Sequence, residues 1–252
     1  MTAPVFISDP GSLTGLSPGR TWTLRGPEAR HAASVQRLRP GEAIEIVDGD
    51  GVRLRGRVAA AVPGEVQVEV IDLHAEPAAQ QRFVLVQALA KGGRDEMAVE
   101  AATELGVDAI RPWQSQRSVV QWRGDKAAKG EHRWRALVHA AAKVARRARL
   151  PRVDPFVRGE ELVDVVADAV RAGAVVLLLH EQAATPMSTA PVDAAGEVMV
   201  IVGPEGGISD DEVRVLVAAG ARCVLMGSNV LRSSTAGPAA LAVLAQRVGR
   251  WG

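Results

Sequence analysis

The 252-residue chain contains no tyrosine, and its phenylalanines and tryptophans bring the aromatic share to only 3%. An interior built with so few rings must come from aliphatic side chains. At 47% hydrophobic residues there are enough of them for a real core. Cysteine is nearly absent: Cys223 stands alone, so no internal disulfide forms, which fits a reducing compartment. It lies in the apolar run Cys223-Val224-Leu225-Met226 and reads as a small core residue rather than a nucleophile. No Cys and His cluster has metal-ligand spacing, so no metal is expected. No apolar run reaches the ~18 residues of a membrane span. The N-terminus MTAPVFISDPGSL lacks the basic start and apolar stretch of a signal peptide. A cytoplasmic protein without a membrane partner is expected.

Net charge is also small, at +1, but its distribution is uneven. Arg123, Lys126, Lys129, Arg133, Arg135, Lys143, Arg146, Arg147, Arg149 and Arg152 crowd one stretch, opposed within it only by Asp125 and Glu131. A local basic field in a nearly neutral protein points to an anionic partner. His132, Arg135, His139, Lys143 and Arg147 follow helical spacings of three or four and would share one stripe. Such a stripe is either a solvated face or a phosphate-tracking surface, and the second reading is favoured.

Two periods divide the chain. Residues 1–73 hold short Val- and Ile-rich segments (5–7, 22–24, 43–47, 52–58 and 66–73) punctuated by Asp9-Pro10-Gly11, Pro40-Gly41, Asp48-Gly49-Asp50-Gly51 and Pro63-Gly64. With one helix at 28–38, they predict a small barrel. Residues 74–82 read as a linker. From 83 to 252 unbroken apolar strands (83–88, 110–113, 175–180, 198–202, 222–226) alternate with helices (94–105, 125–150, 160–172, 210–219, 234–248). The first of these helices carries its spacing through Met97, Ala101 and Leu105. That alternation predicts an α/β domain with a mostly parallel sheet covered on both faces. Ligands on such sheets bind beyond the carboxyl ends of the strands.

The loops in question follow Ala88, His180, Val202 and Met226. The third is Gly203-Pro204-Glu205-Gly206-Gly207, where bare backbone can approach a ligand. Ser209 to Glu212 then fits a capping box that starts a helix at once. No Gly-Lys-Ser/Thr follows and there is no GxGxxG turn, so nucleotide phosphate binding is disfavoured. In the last loop Ser234 or Thr235 would cap the final helix, with Pro238 in its first turn. Leu241, Leu244 and Val248 give that helix one apolar stripe, facing either its own sheet or a second subunit.

GPEGGIS at 203–209 followed by MGSNVLRSSTA at 226–236 resembles the paired motifs of the bacterial 16S ribosomal RNA uracil-N3-methyltransferases of the SPOUT superfamily. The resemblance covers nearly the whole chain. It includes Lys91-Gly92, Ala102-Thr103-Glu104-Leu105-Gly106, Arg117, Arg147 with Arg149 and Pro151, His180, and His31 with Arg37-Leu38-Arg39-Pro40-Gly41. It implies a small PUA-like β-barrel RNA-binding domain over 1–73, a linker over 74–82 and a SPOUT methyltransferase domain over 83–252. That second domain would carry a deep trefoil knot, which sequence rules alone would not suggest. Three departures stand out: Ser234 where many members have Glu, Lys143-Val144 where many have Glu-Gln, and no arginine before the first strand.

The resemblance further implies S-adenosylmethionine as cofactor, 16S rRNA of the small ribosomal subunit as partner, and a homodimer. The cofactor would lie among Leu179, His180 and Glu181, then Val202, Gly203, Pro204, Glu205, Gly206 and Gly207. Met226, Gly227, Val230, Leu231, Arg232, Ser234, Thr235 and Ala236 would complete the cradle. RNA would meet His31, Arg37, Arg39, Lys91, Lys143, Arg147 and Arg149. Methylating uracil N3 requires loss of the imide proton, and a cation near O2 or O4 favours the imidate. Arg117 and Arg232 are the candidates for that catalytic role. No side chain stands out as general base, and solvent can take the proton. Two other readings remain: a non-catalytic RNA-binding ribosome assembly factor, and a SPOUT ribose 2′-O-methyltransferase.

Overall fold

The computed structural model describes residues 2–251 as two compact units. The first comprises residues 2–78 with 142–150, and the second 79–141 with 151–251.

The first unit holds β1 (Val5–Ile7), β2 (Thr21–Arg25), α1 (Gly26–Arg30), β3 (Ala43–Val47), β4 (Val52–Val62) and β5 (Glu65–Ala75). Its sheet runs β1-β3-β4-β5-β2, with β1 parallel to β3 and every other pairing antiparallel. Pro63 and Gly64, the latter at φ +92°, close the β4–β5 hairpin, the sign pattern a type II turn uses. Register shifts at Arg55/Gly56 and Val58/Ala60 bend that ribbon. The curled sheet encloses Phe6, Leu24, Ile44, Ile46, Leu54, Val66 and Val68. The helix expected over 28–38 is an α-turn that widens into a π-helical turn over His31–Val35 and stops at Arg37, whose φ is +55°. β5 runs on to Ala75, so the stretch read as a linker begins inside a strand.

Segment 142–150 belongs to this unit through its own bonds. Ala148 is buried with Val5, Ile7 and Val47. Leu150 N–H donates to Gly49 at 2.8 Å and Gly51 N–H to Ala148 at 3.1 Å.

The second unit runs β6 (Arg82–Ala88), α2 (Arg94–Glu104), β7 (Ala109–Gln114), α3 (Asp125–Val144), β8 (Arg152–Val153), β9 (Val157–Arg158), α4 (Glu161–Arg171), β10 (Val175–Leu179), β11 (Glu197–Val202), α5 (Asp210–Ala218), β12 (Arg222–Val224) and α6 (Ser233–Arg247). The last residues of α3 cluster with the first unit. The sheet order is β12-β10-β11-β6-β7-β8, with β9 also on β7, and every pairing is parallel. Strand periodicity puts alternate residues on opposite faces. Phe83 and Leu85 join one core with Val99 of α2, Trp134 of α3 and Leu241 of α6. Val84 and Val86 join the other, with Leu162 of α4 and Leu216 of α5. The result is the three-layer α/β arrangement expected.

Two expectations about helices are corrected, and the structure decides a third point left open. The helix expected over 125–150 ends at Val144, because Arg146 adopts a left-handed φ of +58°, which few non-glycine residues do. Met97 of α2 is exposed, and the buried face instead runs through Ala98, Val99 and Ala102. The α6 stripe faces its own sheet: Leu241 and Leu244 are buried, and an added Cβ at Gly237 would stand 2.9 Å from Leu85 Cδ1. No helix among the described residues is long and apolar enough to cross a membrane.

Candidate functional site

A cavity of about 650 Å³ opens where β10, β11 and β12 end, beside the first turns of α5 and α6. The three loops singled out after those strands converge on it. Leu179, His180 and Glu181 line one side; His180 N–H donates to Val224, and its Nδ1 accepts from Gln182 N–H at 3.2 Å. Met226, Gly227, Val230, Leu231, Arg232 and Ala236 line another, and an added Cβ at Gly227 would enter open space.

The third side is Val202 to Gly207, and its glycines have different physical reasons. A Cβ at Gly203 would stand 2.6 Å from Ile208 Cγ1, and one at Gly206 would meet Arg117 Cβ at 3.2 Å. Gly207 alone needs its backbone freedom, at φ +72°. The loop therefore folds tightly over Ile208 and against Arg117, then passes into α5. There Ser209 caps with its Oγ on the Glu212 N–H, and the Glu212 carboxylate accepts the Ser209 N–H. This is the capping box the sequence predicts.

Glu205 is fastened as well. Its Oε1 accepts from Arg94 Nη1 at 2.7 Å and from the Lys91 N–H at 3.1 Å. Burial opposes its ionisation, but the backbone and Arg94 hydrogen bonds prevail and hold the carboxyl below its usual range. Asp95, one residue beyond Arg94, goes the other way. It is only 6% exposed, and burial pushes its carboxyl up to about 6 despite backbone hydrogen bonds at Ala90 and at Asp95 itself.

The two candidate catalytic arginines are in different circumstances. Arg117 lines the cavity, but its Nη1 donates to the Gly206 carbonyl at 3.2 Å and to Ile208 at 3.5 Å. Its guanidinium braces the loop. Arg232 lines the cavity, is exposed, and makes no ion pair or side-chain hydrogen bond among the described residues. It is also the N-cap of α6, with no side-chain cap. The cap expected from Ser234 or Thr235 is thus displaced, and Pro238 falls in the second turn. Because the helix starts one residue early, Ser233 and Ala236 face the cavity, while Ser234 and Thr235 do not line it. Ser228, Asn229 and Ser233, within the loop singled out, also line it, and Arg94, Gln182, Ile208, Asp210 and Leu225 line it without having been assigned to it from the sequence. Asp210 was reachable, since it opens a helix beside a loop already singled out.

The residues expected to meet RNA are scattered. Arg37 and Arg39 are exposed in the first unit, and Lys91 is exposed in the second. His31 is half-buried, its ring 6.1 Å from that of Phe6. Lys143 is engaged: its Nζ lies 2.6 Å from Glu28 Oε2 and 4.7 Å from the Phe6 ring centroid. Arg149 donates to the Glu76 carbonyl at 2.7 Å. Arg147 lies beyond the end of α3, so the five-residue basic stripe does not form. Part of the wider basic run is paired with carboxylates from elsewhere. Arg133 pairs with Glu96, Arg146 with Glu45, and Arg152 with Asp154. Arg123, Lys126 and Lys129 are exposed and make no ion pair among the described residues.

Residues 77–245 match the RNA methyltransferase domain family, and residues 24–71 match the RNA methyltransferase PUA domain. A Mycobacterium bovis protein named ribosomal RNA small subunit methyltransferase E is 42% identical over 233 residues, 92% of this chain and 89% of its own. Two solved structures, each 27% identical, superpose over 98% of this chain and 98% of their own. One is ribosomal RNA small subunit methyltransferase E from Neisseria gonorrhoeae bound to S-adenosyl methionine, with a TM-score of 0.85. The other is a methyltransferase from Legionella pneumophila in complex with bound SAM, with a TM-score of 0.83. With a domain match over most of the chain and a relative this close, the chain belongs to the RNA methyltransferase family, among the ribosomal RNA small subunit methyltransferases E.

Proposed function

We propose that this protein, an S-adenosylmethionine-dependent rRNA methyltransferase, places its methyl group on N3 of one uridine of 16S rRNA in the small ribosomal subunit. The observation that carries the reading is the convergence of three separate loops on one cavity at the strand ends. The lining suits the cofactor. Leu179, Val202, Met226 and Leu231 offer an apolar wall for a purine, and the bare backbone at Gly203 and Gly227 can approach it. Glu181 and Asp210 bring negative charge to a cavity that would take a sulfonium and an ammonium group. When bound, the cofactor supplies an electrophilic methyl group, so the protein chiefly orients and stabilises charge.

In that role Arg232 is the cation free to face the uracil imidate, while Arg117 shapes the loop. Solvent takes the imide proton. RNA phosphates are held by exposed cations of each unit: Arg37 and Arg39 in the first, and Lys91, Arg123, Lys126 and Lys129 in the second. His31, Arg147 and Arg149 stay in the proposed RNA-facing set, and Lys143 supports it through Glu28. A homodimer in the cytoplasm and a SPOUT trefoil knot complete the reading.

The test is the product. Small-subunit particles incubated with the protein and labelled cofactor are digested and analysed by mass spectrometry. The expected nucleoside is 3-methyluridine, with the added mass on the released base. A methyl on ribose would reassign the enzyme as a 2′-O-methyltransferase. Tight cofactor binding without any methylation would favour an assembly factor.

A further inference from the structure

Glu212 does more than a capping residue requires. It is 3% exposed, and its Oε2 accepts the Ser209 N–H at 3.1 Å and the Ser209 hydroxyl at 2.9 Å. Its other oxygen, Oε1, accepts the Gln116 N–H at 2.7 Å. That donor belongs to the loop after β7, not to α5. The next residue is Arg117, whose guanidinium holds the carbonyls of Gly206 and Ile208. The loop after β7 therefore grips the Gly203–Ser209 wall at both ends, through Arg117 before the helix and through Glu212 inside it. Ser118 Oγ extends the linkage to the Leu89 carbonyl at the end of β6, at 3.0 Å. No cation pairs with Glu212 among the described residues; its charge is met by neutral donors alone. A buried carboxylate kept for capping alone would leave Oε1 unmatched, at a cost.

We propose that Glu212 is a positioning residue: by fixing Gln116 it sets Arg117, and through Arg117 the shape of the Gly203–Gly207 wall of the cofactor cavity. This rests on the reading of that cavity as the cofactor site. Glu212 touches no ligand itself. Its influence on binding runs through Arg117, so the two residues act as one unit rather than adding independently.

Glu212→Gln tests this because Ser-x-x-Gln still forms a capping box. An amide has one acceptor where the carboxylate has two. With its oxygen on Ser209, its NH2 meets the Gln116 N–H donor to donor. Glu212→Ala removes both acceptors and covers the case in which the amide turns the other way. Binding of S-adenosylhomocysteine is measured by calorimetry on wild type, both Glu212 variants, Arg117→Ala and the double variants, below the melting temperature of each.

The expected result is a loss of about tenfold in affinity for at least the Ala variant, equivalent to about 1.4 kcal/mol. In the Arg117→Ala background the same substitution should cost less than threefold. In turnover, the cofactor KM should rise with kcat little changed. Affinity within threefold of wild type for both Glu212 variants would overturn the proposal. So would full additivity with Arg117→Ala, since a merely structural role predicts no coupling. Failure of the wild-type protein to bind S-adenosylhomocysteine would instead overturn the cofactor reading.

Discussion

Replacing Asp95 by Asn should remove one destabilising term from the protein's pH-stability profile above about pH 6. The Asp95 carboxyl is buried in the first turn of α2, next to a second cavity of about 230 Å³ lined by Gly92, Gly93, Trp122 and Trp134. Burial raises its pKa most. Hydrogen bonds from the backbone at Ala90 and Asp95, and the charge of Arg133, pull it down, while Glu205 pushes it up again. The balance moves it from 3.8 to about 6. At 1.36 kcal/mol per pH unit, that interval corresponds to about 3 kcal/mol. The folded protein holds this proton more tightly than the unfolded chain, so the stabilisation is complete below 3.8. It is lost as pH rises through about 6. Above that, the buried carboxylate costs the folded state about 3 kcal/mol relative to acid conditions. Asn cannot titrate, and its carbonyl still accepts the Glu96 N–H that Asp95 Oδ1 takes at 3.0 Å. Urea unfolding of both proteins from pH 3.5 to 7.5, at matched m-values, reads the difference directly. The variant should gain on the wild type by about 2–3 kcal/mol across that range, with most of the change between pH 4 and 6. A gap between the two proteins that stays constant with pH would refute the reasoning, because Asp95 would then titrate alike in both states.

Gly203→Ala should weaken S-adenosylhomocysteine binding and destabilise the fold by about 1–3 kcal/mol, since its Cβ would stand 2.6 Å from Ile208 Cγ1; calorimetry and thermal melting check both. Lys143→Ala should lower stability by about 1–3 kcal/mol by leaving the half-buried Glu28 carboxylate unpaired. It should leave the salt dependence of RNA binding intact. Lys126→Ala with Lys129→Ala should instead flatten that dependence, by a log–log slope of about 0.7–0.9 per lost phosphate contact, with melting temperature unchanged. Arg232→Ala should lower kcat more than affinity for S-adenosylhomocysteine or RNA, as expected of a cation acting on developing charge.

The sheet of the second unit was legible because strand burial leaves a local mark. Runs such as Val198-Met199-Val200-Ile201-Val202 are apolar at every position, and the structure shows why: Val198 and Val200 enter one core, Met199 and Ile201 the other. Helix ends were less legible. Nothing between Lys143 and Leu150 breaks helical propensity strongly. The chain leaves the helix there because the first unit provides a better environment: Ala148 is buried beside Val5, and Arg146 donates to the Ala3 carbonyl at 2.8 Å and to Glu45 at 3.1 Å. Tertiary bonds override a local preference worth tenths of a kcal/mol per residue.

The same contrast governs the site. Its glycines and its capping box could be read in order, because turn chemistry and capping act over a few residues. Which charges are free could not. Lys143 and Glu28 stand 115 positions apart, and Arg94 and Glu205 stand 111 apart. In the sequence all four are ordinary surface charges, and a window around the basic run shows only Asp125 and Glu131 to oppose it. Folding brings Glu28, Glu45 and Glu96 onto Lys143, Arg146 and Arg133 of that run, while Arg123, Lys126 and Lys129 stay exposed without an ion pair among the described residues. The arginines around the cavity divide in the same way. Arg94 and Arg117 hold the loop that forms the wall, while Arg232 lines the same cavity with no ion pair or side-chain hydrogen bond among the described residues. A cation paired with a carboxylate, as Arg94 is with Glu205, gives a reacting anion little, and one held by carbonyls, as Arg117 is, is oriented toward the loop rather than the substrate. The free member of such a set is therefore the better catalytic candidate, and the bound ones explain why the cavity has its shape.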